Sequence, residues 1–225
     1  MPDPAYVHAA FSSIAERYVT ANHILSMGTD IMWRAKVVKM VAEWQPRNLL
    51  DIATGTGDLA LAISRALPEV EVLGTDFCRP MLDVAVRRGL SNVLEADAMN
   101  LPLEDATFDA ATVAFGLRNM ADYEKALCEF RRVLKPGGHL LVLDFSMPEN
   151  PLFAKVYRLY LHHVLPRIAG LVTGNTDAYA YLGDSIEAFP RGAQFCELMQ
   201  RCGYVNPACL PLCMGIASIY TAEVP

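Results

Sequence analysis

The sequence predicts an α/β protein: a parallel sheet carrying helices on both faces. Residues Asn48 to Asp76 read as a short apolar strand, a glycine turn, a helix and a second strand ending in an acid. Strand-like and helix-like hydrophobic patterns then alternate as far as Asp144. Lys135-Pro136-Gly137-Gly138 punctuates that alternation as a helix stop and turn.

In chain order, apolar residues at helical spacing run from Tyr6 to Trp44, where Ile31, Val37, Val38, Met40 and Val41 suit one amphipathic helix. Ser26-Met27-Gly28-Thr29 interrupts the pattern, and Thr29 or Asp30 is the expected cap of the helix that follows. Strands are expected at Asn48–Asp51, Val70–Thr75, Val93–Ala96, Phe108–Ala114 and His139–Asp144. Between them fall helices over Asp58–Leu67, Arg79–Arg88 and Asp122–Leu134. Beyond Asp144, Asn150–Ala169 and Asp177–Ile186 read as helices that no strand directly follows. Pro190–Cys202 restores the helix, and closing strands are expected near Tyr204–Cys213 and Ile216–Ala222. The Asp144–Pro190 stretch is therefore expected to be an insertion over the carboxyl edge of the sheet, where ligands bind in open α/β folds.

At 225 residues, with 53% hydrophobic and 20% charged residues, the chain is expected to bury one substantial core rather than stay disordered. The net charge is −6 and no block of lysine or arginine occurs, which weighs against a nucleic-acid partner. The N-terminus carries Asp3 and His8 and no long apolar run, so no secretory leader is expected. The Leu152–Val172 region is broken by Lys155, Arg158, His162, His163, Pro166 and Arg167 and does not fit a bilayer span. The six cysteines form no C-x-x-C pair, so they are expected as reduced thiols of a cytoplasmic protein without a zinc site.

Gly55 and Gly57 let the backbone turn sharply and approach a ligand closely. Asp76 ends the second strand, where a carboxylate accepts hydrogen bonds from ribose hydroxyls. Gly55-Thr56-Gly57-Asp58-Leu59-Ala60 fits the dinucleotide pattern, so a nicotinamide cofactor stays open on spacing alone. Two acids favour S-adenosylmethionine. Asp51 can face a cationic methionine end, and Asp58 places negative charge at a helix N-terminus that would otherwise receive a pyrophosphate.

Asp97-Ala98 follows the third strand, where an acid and an adjacent amide can serve adenine; a plain turn aspartate explains the same residue. Phe115-Gly116-Leu117-Arg118-Asn119 follows the fourth strand and exposes a polar pair at the expected reaction edge. Arg118 can stabilise an oxyanion, or equally sit in a structural ion pair. Tyr18, Asn22, Ser26, Trp33 and Arg34 crowd one N-terminal region; Trp33 suits the core, and Asn22 or Ser26 suits a helix cap. His162 and His163 diverge by about 100° on a helix and do not chelate one metal together.

Longer motifs carry a family resemblance. Tyr18-x-x-x-Asn22-x-x-Leu25-Ser26 ending in Trp33, and Arg132-Val133-Leu134-Lys135-Pro136-Gly137-Gly138 through Ser146, resemble the two signatures of the quinone C-methyltransferases. Phe115 to Asn119 matches that family's fourth-strand motif. His163-Val164-Leu165-Pro166-Arg167 and Tyr181-Leu182-x-x-Ser185-Ile186-x-x-Phe189-Pro190 match its insertion. The chain departs from the family pattern at Val19, Asp30, Thr54, Ala114 and Asp144, where aspartate, histidine, glycine, serine and glutamate are usual.

The resemblance implies a class I, Rossmann-like methyltransferase with a mostly parallel seven-stranded sheet and one antiparallel strand near the end. It implies a single domain over residues 1–225, with an N-terminal helical cap (1–44) and a helical substrate-binding insertion (145–190). It implies S-adenosylmethionine bound by Asp51, Gly55, Thr56, Gly57, Asp76, Phe77, Asp97, Ala98 and Ala114, and no metal. The implied reaction methylates a ring carbon of a prenylated quinol, with the menaquinone precursor preferred over the ubiquinone precursor. Arg118, acting with a water, is assigned to the quinol oxygen, while Asn119 and Tyr18 orient the ring. The apolar insertion residues offer a groove for the tail, and the resemblance leaves room for peripheral membrane contact and a homodimer. A related methyltransferase on another small acceptor, a nicotinamide-dependent oxidoreductase and a non-catalytic cofactor-binding module remain the competing readings.

Overall fold

The computed structural model describes residues 28–167 and 177–225. Helix α1 spans Thr29–Trp44, followed by β1 (Asn48–Ile52), α2 (Asp58–Ala66), β2 (Glu71–Asp76), α3 (Arg79–Arg87) and β3 (Val93–Glu95). Then come β4 (Phe108–Ala114), a 3₁₀ turn (Leu117–Asn119), α4 (Tyr123–Val133) and β5 (Leu134–Phe145). Helix α5 (Pro151–Leu159) runs into a π turn (Tyr160–Val164), and α6 covers Asp177–Ala188. The chain closes with α7 (Ala193–Arg201), β6 (Val205–Leu212) and β7 (Ala217–Glu223).

The seven strands form one sheet in the order β3-β2-β1-β4-β5-β7-β6. All pairings are parallel except those of β7, which runs antiparallel to both β5 and β6. The chain leaves β1 for β2 on one side and returns to β4 on the other. The carboxyl ends of β1 and β4 therefore flank a topological switch point, where a crevice opens.

Alternation along the strands divides the core. Leu50 and Ile52, Ala111 and Val113, Leu140 and Val142, and Tyr220 and Ala222 face α4 and α7. Their neighbours Leu49, Ala110, Leu141, Leu143 and Ile219 face α1 and α2 on the opposite side. Helices thus cover both faces, as the sequence predicts. Met147, Tyr157, Leu161, Leu165 and Ile186 make a separate cluster that joins α5, the π turn and α6 to the sheet through Phe145 and Ile216.

Several boundaries differ from expectation for physical reasons. Gly28, at φ 75°, precedes α1, and neither Thr29 nor Asp30 caps it; the Asp30 carboxylate instead pairs with Arg34 one turn on. Ile31 is exposed, whereas Trp33, Val37 and Val41 are buried with Asp30 and Arg34. Ile31 lies about 200° around the helix from Trp33, on the far side from the sheet. Lys135-Pro136-Gly137-Gly138 falls inside β5 as an interruption: Phe108 pairs with Leu134 and Ala110 with His139. The helix expected from Asn150 is capped by the Asn150 side chain, which accepts from the amides of Leu152 and Phe153, and it widens into the π turn. The N-terminal pattern before Gly28, including Tyr18, Val19, Asn22 and Ser26, lies outside the described residues, as do residues 168–169. Among the described residues, no helix is long and apolar enough to cross a membrane.

Candidate functional site

The carboxyl ends of β1 and β4 form the site. Beyond Ile52 the chain turns through Ala53 (φ 51°), Gly55 (φ 57°) and Gly57 (φ 80°) before α2 begins. Phe115, just after β4, also has positive φ (60°). The two turns cross so closely that a Cβ on Gly116 would lie 2.6 Å from the Ala53 Cβ. Glycine is required there because any larger residue would drive its Cβ into the Ala53 methyl, which sits on a rigid turn.

Asp51 is buried beneath this crossing. Its carboxylate accepts one hydrogen bond from the Thr54 hydroxyl and one from the Thr112 hydroxyl, each 2.6 Å. Burial pushes its pKa up from 3.8 to about 6, against the opposing pull of Thr112, Thr54 and the Arg34 charge. Thr54 thus acts as a donor to Asp51. Its methyl and hydroxyl also lie against Gly74, within 3.1 Å of where a Cβ would stand.

A cleft opens over Asp51, lined also by Arg34, Gly55, Asp58, Ala114 and Phe115. The structure therefore brings Asp51, Gly55 and Ala114 together, as the sequence predicts for a ligand site. Asp76, from the end of β2, joins them through the loop: its Oδ2 accepts from the Gly55 amide at 2.8 Å, and its Oδ1 from the Cys78 amide at 2.9 Å. Phe77, next in sequence, is partly exposed.

The turn's remaining polar groups serve the loop itself. Thr56 is buried, and its hydroxyl donates to Asp58 Oδ2 at 3.0 Å. Asp58 opens α2 directly after Gly57 and pairs with Arg88 at 2.7 Å, while Arg34 lies 4.0 Å away. Arg88 also donates to the Thr56 carbonyl at 2.7 Å. A carboxylate held by two guanidiniums occupies the place where a dinucleotide's pyrophosphate would dock.

Asp97 and Ala98 stand apart, beyond the end of β3. Asp97 is exposed and its Oδ1 accepts from the Met99 amide at 2.9 Å, an Asx-type turn. Ala98 packs against the core cluster that faces α4. Neither lines the cleft over Asp51.

Arg118 and Asn119 sit in the 3₁₀ turn after β4, and both donate to the Phe115 carbonyl, at 2.6 and 3.4 Å. Arg118 is buried and makes an ion pair of 2.6 Å with Asp144, which is wholly inaccessible. The Asp144 carboxylate also accepts from the Arg118 and Phe145 amides. The Arg118 guanidinium lies 5.3 Å over the Phe145 ring, and its Nε has no partner among the described residues. Tyr18 lies outside the described residues.

Sequence reasoning gave no role to Arg34. It is buried, projects from α1 into the cleft, pairs with Asp30 and lies 5.7 Å over the Phe115 ring. The available signal was an acid and a base one helical turn apart, Asp30 and Arg34, flanking Trp33. The Asp144 partner of Arg118 was equally silent, because 26 residues separate the two.

Comparison with known proteins gives one consistent picture. A family model described as the ubiE/COQ5 methyltransferase family matches residues 2–223. A demethylmenaquinone methyltransferase of Thermus thermophilus is 48% identical over 220 residues, covering 96% of this chain and 100% of the relative. A ubiquinone/menaquinone biosynthesis C-methyltransferase of Syntrophotalea carbinolica is 46% identical, covering 94% of this chain and 91% of the relative. Among solved structures, a SAM-dependent methyltransferase of Thermotoga maritima superposes with a TM-score of 0.67 at 19% identity, over 95% of this chain and 98% of that one. That likeness shows the fold: a class I, Rossmann-like methyltransferase architecture.

Proposed function

Because the chain belongs to the ubiE/COQ5 methyltransferase family, we propose that it methylates a ring carbon of a prenylated quinol, converting demethylmenaquinol to menaquinol. The observation that carries the substrate assignment is the near full-length similarity to relatives bearing that name. The cofactor is S-adenosylmethionine, which supplies an electrophilic methyl group on a sulfonium.

The residues present fit that cofactor. Asp51 offers a buried carboxylate to a cationic head. Asp76 is assigned to the ribose hydroxyls, its carboxylate oriented by two backbone amides. Gly55, with positive φ and open space where a Cβ would stand, leaves the turn free of side-chain bulk beside the cleft. The Asp58 carboxylate, at the helix start where a pyrophosphate would dock, disfavours the phosphate-bearing alternative. Thr56, Gly57, Phe77, Asp97, Ala98 and Ala114 complete the proposed binding set.

On the substrate side, a ring hydroxyl must lose its proton for density to reach the ortho carbon. Arg118 is assigned to stabilise that oxygen through a water, and Asn119 and Tyr18 to orient the ring. Ion pairing with Asp144 holds the Arg118 charge rigidly, which suits preorganised electrostatics. The largest contribution is holding the two reactants aligned in a site that excludes water. The 145–190 insertion is assigned to the tail: Leu152, Val156 and Leu159 are exposed along one face of α5, with no acid between residues 151 and 167.

The test is anaerobic incubation of the protein with S-adenosylmethionine and a reduced, short-tailed demethylmenaquinol. A product heavier by one methyl, formed with an equal amount of S-adenosylhomocysteine, is expected. A tail-free analogue should react with a higher KM. Cofactor bound while the quinol returns unmethylated removes the quinol reading and leaves another acceptor.

A further inference from the structure

Arg34 is the feature that cofactor and quinol assignments leave unexplained. A buried guanidinium is costly unless its donors are matched. Among the described residues, Arg34 pairs closely with Asp30 on its own helix and only at the limit of ion-pair distance with Asp58. Its Nε is buried and has no hydrogen-bond partner among the described residues. Asp58, 4.0 Å away, is already taken by Arg88 and the Thr56 hydroxyl. Yet the side chain projects into the same cleft as Asp51, which sits close enough for the Arg34 charge to act on it.

The cleft therefore holds a buried cation and a buried anion side by side. A ligand group that satisfies both carries oppositely charged groups on one carbon. An α-amino acid head does so: its ammonium suits Asp51 and its carboxylate suits a guanidinium. A phosphate would meet Asp51 and Asp58 as repulsion, and an uncharged head would leave the Arg34 Nε unmatched.

We propose that Arg34 receives the carboxylate of the cofactor's methionine moiety while Asp51 receives its ammonium, making the pair a reader of the zwitterion. The proposal rests on the methyltransferase reading of this site. Asp30 serves as the positioning residue, holding the guanidinium over the glycine turn. The cofactor end is thereby fixed at both charges, which sets where the adjoining sulfonium lies relative to the acceptor side of the cleft.

Calorimetry with two ligands tests this. S-adenosylhomocysteine carries the whole amino acid head; its decarboxylated analogue keeps the adenosine, sulfur and amine but lacks the carboxylate. The wild-type protein should prefer S-adenosylhomocysteine. In Arg34→Gln, its affinity should fall by roughly 10- to 100-fold, while affinity for the decarboxylated analogue changes little. Arg34→Gln removes the guanidinium that pairs with Asp30, so the Asp30→Asn/Arg34→Gln variant repeats the measurement with a neutral pair. Equal weakening of both ligands in the double variant, or unchanged preference for the carboxylate, overturns the proposal while the methyltransferase reading stands. Wild-type protein that binds neither ligand overturns both.

Discussion

Asp51→Asn is expected to make the free protein more stable at pH 8 while removing most of its affinity for the cofactor. Asp51 is fully buried, and its pKa stands at about 6 against an ordinary 3.8. A raised folded-state pKa means that the protonated carboxyl is the one the fold prefers. Its stabilisation is complete below about pH 4 and is lost as pH rises through about 6, with a total near 3 kcal/mol. An asparagine has the same shape and no charge to desolvate. The Thr54 and Thr112 hydroxyls can each reverse their hydrogen bonds to suit an amide.

The variant should therefore gain roughly 2 kcal/mol at pH 8, about 5 °C in Tm for a chain of this length. Its stability should also no longer fall between about pH 4 and 6 from this group. Affinity for S-adenosylhomocysteine should drop roughly 100-fold, because the ammonium loses its charged acceptor. Thermal unfolding across pH and calorimetry read the two effects separately. A variant less stable at pH 8 would mean that attraction to Arg34 outweighs the burial cost. Unchanged affinity would remove Asp51 from the ligand site.

Arg118→Ala should cost the fold heavily as well as slowing turnover. The guanidinium and Asp144 form a buried pair at 2.6 Å, and Asp144 has no access to solvent. Truncating the arginine leaves that carboxylate with two backbone amides and no counter-charge. Breaking such a pair typically costs about 3–5 kcal/mol, roughly 10 °C in Tm here. The Phe115 carbonyl also loses its closest side-chain donor, which loosens the turn between cleft and acceptor side.

A double cycle with Asp144→Ala separates structure from catalysis. If the ion pair accounts for the stability loss, the double variant should lose far less than the sum of the single ones. Turnover should fall in Arg118→Ala and in the double variant alike, since neither carries the charge assigned to the quinol oxygen. Recovery of turnover in the double variant would show that Arg118 acts on the fold alone.

Much of this was legible in the sequence, and the illegible part has a common cause. The strands at Asn48, Glu71 and Phe108 were readable because each is a short apolar run closed by an acid, a turn or a glycine. The switch point followed from their order, and with it the neighbourhood of Asp51, Gly55, Asp76 and Ala114. Apolar periodicity misplaced Ile31 because the buried face of α1 carries Asp30 and Arg34. Polar residues buried for a site break the very pattern that reveals a helix face. The Arg118–Asp144 pair was hidden for another reason: Arg118 lies in the turn after β4 and Asp144 near the end of β5, and only the sheet's order brings them together. Thr54 looked like a lost glycine until its hydroxyl was seen to reach Asp51.

The most direct test of carbon methylation uses S-adenosylmethionine labelled with carbon-13 in its methyl group and the reduced, prenylated substrate. The product is then read by NMR. The account predicts a single labelled methyl bonded to a ring carbon, with loss of the proton that this carbon carried. A labelled methoxy signal, with that ring proton retained, would contradict it.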